Sequence, residues 1–138
     1  MILIRYSLSL LLAIASATTR AQAETKISRI ELQGFPAIES YTLANGLQVL
    51  LWPDDSTRLV AGNIWYRVGS LHERRGITGI AHLFEHMMFR PSRYAPDGVQ
   101  DIASHWAADV QATTKYKTTN FSFDMPADKV EDYLRLAA

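Results

Sequence analysis

Apolar and polar positions change period twice along the chain, and the changes mark its elements. From Ser40 the pattern is that of strands: SYTLANGLQVLLWP sets Asn45-Gly46 between two apolar runs, which predicts a hairpin, and Val60, Ile64, Tyr66 and Val68 in RLVAGNIWYRVGS predict a third strand. Residues 69–76, charged and bounded by glycines, read as a loop. A helix is expected from Thr78, whose hydroxyl can cap it, to about Arg90, before Pro91. A second helix is expected from Asp97, then two strands over 109–114 and 118–125, rich in Val, Thr and Phe. Pro126 opens a last helix, with Val130, Tyr133, Leu134 and Ala137 at helical spacing. Strands first, then helices and strands mixed, predict an α+β fold: a mostly antiparallel mixed sheet with helices packed on one face.

The first 23 residues follow another pattern. Arg5, the apolar run LSLLLAIASA and the triplet Ala21-Gln22-Ala23 read as a secretory signal peptide cut before Glu24, leaving residues 24–138 as one partial domain. The run is shorter than the roughly 20 residues of a membrane span, and it forms one solid block, unlike an amphipathic transit peptide. Periplasmic or secreted localisation follows, without a stable membrane anchor.

Composition narrows the chemistry. The chain has 138 residues, with 14 basic and 14 acidic side chains. This balance offers no electrostatic footprint for nucleic acid. There is no cysteine, so a metal would have to be held by His and carboxylate.

The stretch TGIAHLFEHMMFRPS raises that possibility. At about 100° per residue, Ile80, Leu83, Phe84, Met87 and Met88 fall in one arc of about 140°, expected to be the buried stripe, and His82, Glu85 and His86 fall on the opposite face. The two imidazoles, one turn apart, can converge on a single ion. Glu85 lies beside them without being needed as a ligand. Zinc with an open position lowers the pKa of a bound water, and a nearby carboxylate can take its proton and later deliver it to a leaving amine. The plain alternative is a polar helix face that happens to carry these residues.

The longer stretch VGSLHERRGITGIAHLFEHMMF resembles the signature of the insulinase/pitrilysin family of zinc metallopeptidases, whose motif is inverted relative to other zinc peptidases. YTLANGLQVLLWPDDS resembles the family's first hairpin, and DVQATTKYKTTNFSFDMPADKVEDYLRLAA its strand pair and following helix, so the likeness runs over residues 38–138. The resemblance implies the N-terminal part of a catalytic domain, with His82 and His86 as zinc ligands and Glu85 as general base. It also implies a peptide or unfolded protein as substrate, added as a strand along Gln111, Ala112, Thr113 and Thr114.

A second homologous half or subunit is a further implied partner, and a non-catalytic, peptide-gripping subunit or an inactive truncated product is the alternative. The family's third ligand, a Glu on a later helix, is expected beyond Ala138. None of Asp97, Asp101, His105, Asp109, Asp124, Asp128, Glu131 and Asp132 matches it. Ala107-Ala108 stand where the family usually has a Gly pair, Gln111 where it has Asn, and Lys117 where an acid is common. His72 and His105 are expected at the surface, Trp65 and Trp106 in the core.

Overall fold

The computed structural model describes residues 2–6, 26–31 and 33–137. The strands are β1 (Ile2–Tyr6), β2 (Lys26–Ile30), β3 (Ile38–Thr42), β4 (Gln48–Pro53), β5 (Leu59–Tyr66), β6 (Asp109–Thr114) and β7 (Thr119–Pro126). The helices are α1 (Ile80–Met88), α2 (Val99–His105) and α3 (Val130–Ala137), with short 3-10 turns at Ser70–His72 and Ala127–Lys129. All seven strands form one sheet in the order β2-β3-β4-β1-β5-β7-β6. The pairing of β1 with β4 is parallel and the others are antiparallel, so the fold is α+β on a mixed, mostly antiparallel sheet.

The β3–β4 hairpin turns where the Asn-Gly pair predicts it. Gly46 N–H donates to the Leu43 carbonyl at 2.8 Å and the Asn45 side chain accepts from Leu47 N–H at 3.0 Å. Gly46 takes φ +83°, a left-handed conformation that glycine adopts without steric cost.

Burial alternates along β7, with Thr119, Phe121, Phe123 and Met125 inward. Met125 stands beside Val60 of β5 in register, and Phe123 beside Gly62. Val99 of α2 and Val130 and Tyr133 of α3 join Leu51, Val60, Phe123 and Met125 in one core cluster, which places both helices on the same sheet face. The Tyr133 ring lies so close over Gly62 that a Cβ there would come within 2.8 Å of it. Trp65 and Trp106, expected in the core, are half-buried; Trp106 packs on the cluster's margin.

The end of α2 explains one feature of the sequence. Ala108 N–H donates to the Ala103 carbonyl at 2.9 Å and Ala107 N–H to the Ser104 carbonyl at 3.2 Å, the paired closure of a helix whose next residue is left-handed. Ala107 is that residue, at φ +52°. An L side chain there costs about 1–2 kcal/mol, against roughly 0.5–1 kcal/mol of extra chain entropy for glycine. Ala107→Gly is therefore expected to raise stability by up to about 1 kcal/mol, read as a higher denaturation midpoint. An unchanged or lower midpoint would show that the position is not left-handed in solution.

Ile2–Tyr6 opens the segment that reads as a leader, yet it lies inside the sheet between β4 and β5. The rest of that reading, the apolar run and the cut after Ala23, falls outside the described residues. Among the described residues no helix is long and apolar enough to cross a membrane.

Candidate metal centre and its buried carboxylate

Helix α1 lies against edge strand β6, and the residues it turns inward are Ala81 and Glu85, each 8 % exposed. The stripe expected to be buried is open instead. Leu83, Phe84, Met87 and Met88 are 54–58 % exposed and Ile80 is half-buried. Helical periodicity locates an apolar face correctly but does not say what covers it. The contact with β6 is made by the Ala81–Glu85 side, and the open stripe borders an apolar groove of about 370 Å³ lined in part by Val68, Ile80, Phe84, Met88 and Phe121.

The start of the helix also differs from expectation. Its N-cap is Gly79, at φ +90° and without a side-chain cap, so Thr78 does not serve. Glu73 serves from six residues back: its carboxylate accepts from Gly79 N–H at 2.8 Å and from Ala81 N–H at 3.0 Å. These two bonds, Ala81's first, hold its pKa below the ordinary 4.5. A lowered folded-state pKa means stabilisation that is present above the unfolded value and fades as pH falls from about 4.5 through the folded value. Glu73→Gln is thus expected to lower the melting temperature at pH 7, with the gap from wild type closing in acid. A pH-independent gap would show that the carboxylate charge is not what matters.

Glu73 is a residue that sequence reading left in a loop. The signal that could have found it is a carboxylate shortly before a glycine-led helix.

The Ser70–His72 turn that carries Glu73 is strapped to the β6–β7 turn. Ser70 N–H donates to the Lys115 carbonyl at 3.2 Å and Leu71 N–H to the Tyr116 carbonyl at 2.8 Å. A Cβ on Gly69 would collide with the Lys115 carbonyl, so this close approach requires glycine.

Register sets Thr114 beside Thr119 at the same end of the sheet. Thr114 Oγ1 donates to Glu85 Oε2 at 2.5 Å, and Thr119 Oγ1 donates to the Val68 carbonyl at 2.9 Å. Each hydroxyl uses its single proton in that bond, so the buried carboxylate is held by the strand through a fixed donor.

On the exposed side of α1 the His82 and His86 rings face each other, centroids 4.6 Å apart, with Nε2 atoms 3.1 Å apart. Two such nitrogens can stand that close only if one donates to the other or both present lone pairs to a cation. Two imidazoles on one tetrahedral zinc, with bonds of about 2.0–2.1 Å, have nitrogens about 3.3 Å apart. The pair therefore fits two places of such a site. Helical spacing and the anchoring of Glu85 between them aim the rings, since the open apolar stripe cannot.

Among the described residues no group of three His, Asp or Glu gathers to hold a metal. His105 turns its Nδ1 to the Asp101 carbonyl at 2.7 Å, and His72 its Nδ1 to the Gly69 backbone. Neither joins the pair.

Gln111–Thr114 lie on the outermost strand, with Gln111 and Thr113 exposed and Ala112 and Thr114 half-buried. The Gln111 amide donates to Asp109 at 3.1 Å.

A mixed sheet with a His-x-x-Glu-His helix laid against its edge strand defines an insulinase-type peptidase domain. The chain belongs to the insulinase family (peptidase family M16), whose profile matches residues 48–138. It is 32% identical over 105 residues to the zinc protease PqqE of Helicobacter pylori, covering 75% of this chain and 24% of that protein. Over 94 residues it is 35% identical to the peroxisomal insulin-degrading enzyme-like 1 of Arabidopsis thaliana, covering 67% of this chain and 10% of that one. The crystal structure of a protease from Helicobacter pylori matches at a TM-score of 0.68 and 30% identity, over 74% of this chain and 25% of the other. The chain thus spans about a quarter of the length of its bacterial relative.

Proposed function

We propose that this chain carries the zinc-ligand pair and the general base of a zinc-dependent endopeptidase. The observation that supports it most is the approach of His82 Nε2 to His86 Nε2, 3.1 Å, one turn of helix with the buried Glu85 between them. His82 and His86 would hold the ion, together with a ligand outside the described residues. When bound, zinc supplies Lewis acidity at the peptide carbonyl.

The chain's own residues supply the rest. Thr114 fixes Oε2 of Glu85, and the carboxylate's other oxygen would take a proton from water and hand it to the departing amine. The substrate is an extended peptide or unfolded protein, and the outer edge of β6 is where it would pair as an added strand. That edge ends at Thr114, the residue that holds Glu85, so a strand bound there runs towards the carboxylate.

Export to the periplasm or exterior through a cleaved leader, and pairing with a second homologous half or subunit, belong to the same proposal. The test is hydrolysis of a mixed peptide pool by the protein, metal-free and after zinc is restored. Cleavage that appears with zinc supports the reading, and cleavage indifferent to zinc and chelator would contradict it.

A further inference from the structure

Helix α1 opens with backbone N–H groups that precede its hydrogen-bond ladder. The first rung runs from Leu83 N–H to the Gly79 carbonyl at 2.9 Å, so the amides of Gly79, Ile80, Ala81 and His82 have no helical carbonyl behind them. His82 therefore stands in the first turn and His86 in the last. Helix ends fray, and a helix of nine residues is below the roughly 12–15 that persist without tertiary support.

Each of the two turns has its own carboxylate pin. Glu85, bonded to Thr114 Oγ1, holds the turn of His86. Glu73, which accepts from Gly79 N–H and Ala81 N–H, holds the turn of His82. Residues 74–79 between Glu73 and the helix are all exposed, so the place of Glu73 is set from the other side. Its own N–H donates to the Ser70 carbonyl at 3.3 Å, and Ser70 and Leu71 are strapped to the carbonyls of Lys115 and Tyr116. Lys115 directly follows Thr114, so both pins end on one corner of the β6–β7 hairpin.

We propose that Glu73 is a positioning residue for the zinc pair: by tying the first turn of α1 to the β6–β7 corner, it holds His82 opposite His86. This rests on the reading of those two imidazoles as ligands. Two carboxylate oxygens take one N–H each. An amide fills only half of that role, because its other end is itself a donor. A lost cap costs an ordinary helix stability alone; here it would also release a ligand.

In the metal-free full chain, Glu73→Gln is expected to speed exchange of the Ala81 and Leu83 amides by about tenfold, while those of residues 86–88 keep wild-type rates. Titrated with zinc alone, the variant should bind about tenfold more weakly, as for the loss of an outer partner of a metal ligand. Asn45→Ala is the control, since it removes another bond from side chain to backbone, in the β3–β4 turn four strands from β6. It should lower the melting temperature and leave zinc affinity within about twofold of wild type. Unchanged zinc affinity in Glu73→Gln, or an equal loss in Asn45→Ala, overturns the positioning role. Exchange quickened alike at 86–88 does so too, since Glu73 would then support the whole chain or helix rather than His82. The wild-type titration, followed on the ring nitrogens, separates the two failures: His82 and His86 rings that ignore zinc overturn the ligand pair itself.

Discussion

His82→Ala and His86→Ala are each expected to lower zinc affinity by more than 100-fold, while Glu85→Gln retains it. Each imidazole is one of two nitrogens aimed at the same point, and the described residues hold no third His or carboxylate near enough to take over. Losing a ligand should exceed the roughly 10–100-fold cost of losing an outer partner of one. Glu85 is held by the Thr114 hydroxyl and is not one of the two facing nitrogens, so its replacement by an amide leaves the pair in place. Isothermal titration of the three variants with zinc checks this. Equal loss in all three would make Glu85 a ligand, and no loss in either His variant would remove the pair from the site.

Glu85→Gln is expected to reduce zinc-dependent peptide hydrolysis by about 10² to 10⁴-fold, the usual worth of a positioned acid-base group, with zinc content unchanged. The carboxylate is well suited to the comparison because Gln has the same shape and its carbonyl can still accept from Thr114. Any drop in rate then reflects the missing proton acceptor more than a disturbed helix. Turnover within a factor of a few of wild type, at equal zinc content, would remove Glu85 from the proton path.

The parts legible in the sequence are those in which neighbouring residues carry the signal. Asn45-Gly46 marked the β3–β4 hairpin, alternation marked β5, enrichment in Val, Thr and Phe marked β6 and β7, and the i, i+4 spacing set His82 and His86 one turn apart on the same side of the helix. What escaped depends on distant partners. The apolar stripe of α1 was visible as a stripe, but burial is decided by a covering layer, and α1 meets β6 with its Ala81–Glu85 side.

Thr78 looked like the cap because it directly precedes the helical pattern, whereas the backbone turns at Gly79 and brings Glu73 back onto the first N–H groups. Ile2–Tyr6 shows an ambiguity of short apolar-rich stretches: Ile2, Leu3, Ile4 and Tyr6 around Arg5 read equally as the start of a leader or as a strand, and only the pairing with β4 and β5 distinguishes them. Strand β2, at Lys26–Ile30, escaped for a related reason, since its short alternation directly follows the leader-like stretch and its pairing lies with β3.

The central claim is that two of the four histidines hold zinc together, and imidazole nitrogen NMR on the zinc-titrated chain tests it most directly. The Nε2 resonances of His82 and His86 should shift in step to saturation at one zinc per chain, while those of His72 and His105, whose Nδ1 atoms face backbone groups instead, stay in place. Independent titration of His82 and His86, or shifts shared equally by all four rings, would contradict a common site.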